Sequence, residues 1–204
     1  MVKIKISLLI PFSVFFVTEY LFIFFNIMFL YYIGLTAGLL SIPISFYSSK
    51  NEMKEDMKSS VVSIALLLTT FTLVLVFFSV FNKAWAVTLP ELLVTPVLLE
   101  EFNFRYILQR ILLRGIRRYD ALILQAVVYV AYYSRYVTAD HGAGFPFPYN
   151  MLMLSSVFSM GIVYGLLAMR TKSFLASTIL HFLIWSMFPL LAHYPALASV
   201  LVPT

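Results

Sequence analysis

Residues 95–114 read TPVLLEEFNFRYILQRILLR, and this stretch decides how the rest of the chain is understood. Glu100, Glu101 and Arg105 fall within six residues of one another, in a run otherwise apolar enough to cross a membrane. On insertion scales each such group costs at least ~2.5–3.5 kcal/mol at bilayer depth. A cluster this dense either builds a site or pairs to fix a fold. On a helix, successive residues turn by about 100°. Glu101 and Arg105 therefore share a face at i and i+4 and can pair, and Gln109 extends that stripe. Glu100 is rotated away from the pair, with Asn103 leaning to its side. One carboxylate is neutralised within the helix while the other faces a cavity. Pro96 cannot donate to the carbonyl of Leu92, so the spacing predicts a bend or restart there, capped by Thr95.

The surrounding composition supports a membrane setting. Of 204 residues, 62% are hydrophobic and 11% charged, which excludes a soluble globular domain and a disordered chain. The absence of cysteine excludes a disulfide framework, a thiolate nucleophile and a cysteine-ligated metal. The net charge of +5 is assigned to membrane topology and not to nucleic acid.

Working outward, spans are expected at 7–32, at 35–48 (short, with Gly34 and Gly38 marking the return into it), at 61–81, 91–113, 120–136, 151–169 and 174–192. Residues 82–88 read as a loop, with Pro90 in the first turn of the next helix. Glu19 and Asn26 should face protein, and Glu19 has two candidate partners, Arg105 or another protein. The Gly/Pro-rich segment TADHGAGFPFPYN, 138–150, reads as a long loop. Lys3, Lys5, Lys50, Lys54, Lys58, Arg114, Arg117, Arg118, Arg170 and Lys172 fall on one side of this arrangement, and Lys83 and Arg135 on the other. That bias puts the N-terminus in the cytoplasm. The expectation is an all-α, polytopic transmembrane bundle of about seven spans in the cell membrane. Residues 1–88 would form three peripheral spans and 89–204 a four-helix core. Its interior would be lined by the carboxylate face and by Gln125, Tyr129 and Tyr133. Ser173, Ser177, His181 and Trp185 would line it too, with Gly161 and Gly165 allowing close approach.

At these residues the chain resembles the CPBP family of intramembrane proteases, which includes the CAAX prenyl endopeptidases. TPVLLEEFNFR resembles its EExxxR motif, and FSMGIVYGLLAMRTKSFLASTILHF resembles its closing segment, a Gly-rich helix, a short turn and a helix bearing histidine. The resemblance implies that Glu100 activates water for attack on a peptide carbonyl. Histidines from two later helices, and an Asn one turn past the last, would orient the water, stabilise the oxyanion or bind a metal.

Two of those places differ here. Tyr133 stands where the family's Phe-x-x-x-His motif has its histidine, and Trp185 where the Asn follows His181. His141 could substitute for the first only if the loop folds back. Phenol and indole can both donate hydrogen bonds to an oxyanion. Neither is a good ligand for a divalent metal such as zinc, so no cofactor is expected. The expected site is Glu100, Glu101, Arg105, Tyr133, His181 and Trp185. Two functions follow from the resemblance. One is a glutamate-dependent endopeptidase acting on membrane-embedded peptides or prenylated proteins. The other is a degenerate member serving as an assembly or scaffold subunit of a larger membrane complex.

Overall fold

The computed structural model describes residues 6–25, 27–48, 50–135 and 149–193. Lys3, Lys5, Asn26, His141 and all but the end of the 138–150 loop lie outside the described residues. The described chain is all-α, with seven helices: α1 (Ile6–Phe25), α2 (Met28–Ser48), α3 (Lys50–Phe81), α4, α5 (Arg118–Tyr133), α6 (Tyr149–Thr171) and α7 (Phe174–His193). Helix α4 is one continuous rod. It is α-helical over Lys83–Leu92, Leu99–Glu101 and Gln109–Gly115, and π-helical over Leu93–Leu98 and Phe102–Leu108.

Three stretches are long and apolar enough to cross a membrane: Met28–Ser45, Val61–Phe81 and Asn150–Thr171. The chain is thus a multi-pass membrane protein. Leu9–Phe22 and Phe174–Met187 are shorter apolar helices. The outward faces of α1 to α3 carry exposed Ile10, Phe29, Leu68, Leu73 and Val80, side chains suited to hydrocarbon.

Helix α4 is the axis. Residues 99–109 are all buried, so no face of this segment meets the surroundings. Helices α1, α2, α5, α6 and α7 all pack on it. One apolar cluster joins Phe12 and Phe15 of α1 to Phe104, Tyr129 and Tyr132, with edge-on ring contacts from Phe104 to Phe12, Tyr129 and Tyr132. A second joins Val74 and Phe78 of α3 to Leu89, Val97 and Phe182.

Three boundary expectations are corrected. The break between the first two helices falls at Ile27, and Gly34 and Gly38 lie inside α2. Those glycines serve close approach. A Cβ on Gly34 would meet Glu19 Oε1 and Thr18 Oγ1 at 2.8 Å, and one on Gly38 the Phe15 ring at 3.0 Å. Residues 83–88 are helix and not loop, because Asn82 caps α4 by accepting from the Trp85 N–H at 3.1 Å. The helix does not restart at Pro96. The wider π turn absorbs the missing N–H, and Thr95 Oγ1 donates back to the Glu91 carbonyl at 2.8 Å instead of capping.

Helices α5 and α6 meet through the small residues. A Cβ on Gly161 would lie 3.1 Å from Ala126 Cβ and 3.2 Å from its Cα, atoms that move only if the helices part. Gly161→Ala should therefore cost about 1–3 kcal/mol of stability. Ser156→Ala, on the exposed face of the same helix, should stay within about 0.5 kcal/mol. Unfolding of both variants in detergent would check this.

Candidate functional site

The acidic doublet lies in the three-residue α-helical interval of α4, between its two π-helical segments. Both carboxylates are buried, and their side chains diverge as helix geometry requires.

Glu101 faces α7. Its Oε2 accepts from Arg105 Nε at 3.1 Å, and its Oε1 lies 3.0 Å from His181 Nδ1. The Trp185 indole N–H, 2.7 Å from His181 Nε2, can only donate. Nε2 must therefore accept, Nδ1 carries the hydrogen, and Nδ1–H donates to Glu101. Arg105 continues the chain of bonds. Its Nη1 donates to Gln125 Oε1, and Gln125 Nε2 donates to the Gly161 carbonyl at 2.7 Å. Its guanidinium also sits over the Tyr129 ring, 4.7 Å from the centroid, while His181 stacks on Tyr164 at 5.0 Å. Gln109, the next residue of the stripe, donates to the Gly165 carbonyl at 3.0 Å. Gln109 of α4 and Gln125 of α5 thus reach carbonyls of α6 that the glycines leave bare.

Glu100 faces the other way. Tyr133 O–H donates to its Oε2 at 2.7 Å, and Tyr129 O–H stands 3.4 Å from the same oxygen. Glu100 also lines a recess of about 210 Å³ between α1, α2, α4 and α5. Phe15, Phe22, Tyr31 and Tyr132 give that recess aromatic walls, and Glu19 and Arg135 give it charge. Arg135 Nη1 is 3.9 Å from Glu19 Oε2, and its guanidinium lies 3.6 Å from the Tyr132 centroid.

All six expected site residues are therefore brought to the middle of one bundle. They form two branches. Glu100 and Tyr133 make up one, and Glu101, Arg105, His181 and Trp185 the other, with Tyr129 touching both. The first expected partner of Glu19 is corrected: it meets Arg135, because α1 reaches α4 beside the end of α5, while Arg105 is committed to Glu101 and Gln125. Reading the sequence alone missed Arg135 as an interior group. The signal was available, since a carboxylate buried on α1 needs a cation and Arg135 stands apart from the main basic cluster.

A family model described as type II CAAX prenyl endopeptidase Rce1-like matches residues 81–187, just over half of the chain. No curated protein and no solved structure matches it.

Removing one partner of a buried ion pair leaves an uncompensated charge. Arg105→Met should cost about 3–5 kcal/mol. Adding Glu101→Gln to it should recover part of that loss, as denaturation of the two variants in detergent would show.

Proposed function

Since the chain belongs to the type II CAAX prenyl endopeptidase Rce1-like family, we propose that it keeps the family's interior but uses it to hold a membrane-embedded protein segment rather than to cut one. It would act as an assembly or scaffold subunit. The observation that carries this reading is how the two donors available for an oxyanion are spent. Tyr133 O–H is turned onto Glu100, and Trp185 N–H onto His181. Hydrolysis needs donors aimed at a developing oxyanion and a base free to take a proton from water. Here His181 Nε2 is closed by the indole, and the Tyr133 hydroxyl sits on the carboxylate that would serve as base.

The same bonds argue against a divalent metal. An Nε2 lone pair that accepts the indole N–H has none to give a cation, Nδ1 bears its hydrogen, and a neutral phenol is a poor ligand. Glu101 and Arg105 would serve as the internal brace, and Glu100 would face the occupant. The occupant would be an apolar peptide segment or a prenylated chain end, seated in the aromatic recess between α1 and α5. In this reading residues 1–88 wrap a four-helix core, 89–204, with α1 completing the recess. All seven helices cross the membrane with the N-terminus in the cytoplasm, a topology supported by the ten cations on one side.

One observation favours a second reading, a glutamate-dependent endopeptidase: the recess reaches Glu100 itself. In that reading Glu100 takes a proton from water held there as the water oxygen adds to the peptide carbonyl, then passes the proton to the leaving amine as the C–N bond breaks, with Tyr133 turned away from Glu100 to meet the oxyanion.

Reconstituted protein offered a prenylated peptide should release no more product than Glu100→Gln, and both should crosslink the peptide equally. If the wild type cleaves, and Glu100→Gln slows it by the ~10²–10⁴-fold that a general base contributes, the second reading replaces the first.

A further inference from the structure

A larger recess, of about 520 Å³, lies at the other end of the core from Arg135. Arg110 of α4, Arg118 at the start of α5 and Lys172 in the turn between α6 and α7 line it, with Arg105, Tyr106 and Gln109 deeper in. Among the described residues lining it there is no carboxylate. Asp120 is the nearest acid in sequence, and it pairs with exposed Arg117 at 2.8 Å. Two helices start at this recess and two end there, so their dipoles largely offset. The positive field comes from the side chains.

Arg118 and Lys172 are exposed and Arg110 is half-buried, and contacts within the protein shape the recess between them. Arg110 is held by the Tyr106 ring, 4.3 Å from its centroid. Arg105 spends Nε and Nη1 on Glu101 and Gln125, while its buried Nη2 has no hydrogen-bond partner among the described residues. Lys172 has φ 54°, a left-handed conformation that glycine would adopt without strain. Leu113 and Phe174 add apolar wall beside the charges. Cations from three elements converge, an Arg105 donor lies deeper in, and the apolar side chains of Leu113 and Phe174 stand beside them, Leu113 exposed.

We propose that this recess binds the phosphate of an anionic phospholipid headgroup at the membrane surface. The chemistry is that of basic pockets between transmembrane helices: Arg110 and Arg118 present planar forks to phosphate oxygens, Lys172 a mobile ammonium, and the acyl chains follow the apolar walls outward. This site is separate from the Glu100 recess, and it stands whether or not the protein cleaves peptides.

The test is a titration of the full chain, purified in a non-ionic detergent, with short-chain phosphatidylglycerol, following its melting temperature. Phosphatidylcholine of equal chain length serves as comparison. Phosphatidylglycerol should raise the melting temperature saturably, and phosphatidylcholine should not. A cation near an anionic lipid contributes about fivefold in affinity, so Arg118→Gln with Lys172→Gln should weaken binding roughly 30-fold. Arg117→Gln with Arg170→Gln removes as many charges from the same end, at exposed positions outside the recess, and should leave binding near wild type. Lys172→Gly removes the charge while relieving the strained φ, so it should melt no lower than wild type without lipid and still bind about fivefold more weakly. Inorganic phosphate and pyrophosphate form the second arm. Protection by either that is lost in the Arg118/Lys172 variant supports the phosphate site and assigns it a soluble ligand. Equal weakening in the two double variants, or none in either, overturns the proposal.

Discussion

The structure depends on how one buried carboxylate is compensated. Glu101 sits at the centre of a membrane bundle, with Arg105 on one oxygen and His181 on the other. Neither contact stands alone. Arg105 is steered by Gln125, which is anchored to the Gly161 carbonyl, and His181 is set in one tautomer by Trp185. These bonds tie α4 to α5, α6 and α7. In hydrocarbon such a group must find its partners inside the protein. The small residues on α6 follow from the same requirement, because long polar side chains can reach its carbonyls only where no side chain stands in the way.

The doublet then separates two tasks by geometry. Adjacent residues on a helix point about 100° apart, so fixing Glu101 in the brace turns Glu100 toward the α1–α5 side. There it meets two phenols and an aromatic recess rather than the imidazole. Tyr133 and Trp185 make this division sharper. Each spends its hydrogen on a neighbouring interior group, Tyr133 on Glu100 and Trp185 on His181.

Much of this was legible in the chain. The i, i+4 spacing of Glu101 and Arg105 forced them to one face, and every fourth residue of 173–185 and of 125–133 drew a polar stripe that did turn inward. The errors came where a local signal had two meanings. Gly34 and Gly38 look like a turn, and they are contact points, because a glycine that admits a tight turn equally admits a neighbouring helix. Pro96 looks like a break, and the backbone widens around it instead. The partner of Glu19 was hidden because it lies more than a hundred residues away, on a helix whose placement local periodicity does not specify.

The sequence by itself determined a helical membrane protein, the pairing of Glu101 with Arg105 and the kinship of its second half, since composition, helical period and motif order are properties of the chain alone. Tertiary structure decided which imidazole nitrogen carries hydrogen, which oxygen Tyr133 occupies, where Arg135 goes and where the cations gather around a recess. Those outcomes depend on distances between helices far apart in the chain, and these arise only when packing brings α1, α5 and α7 around α4.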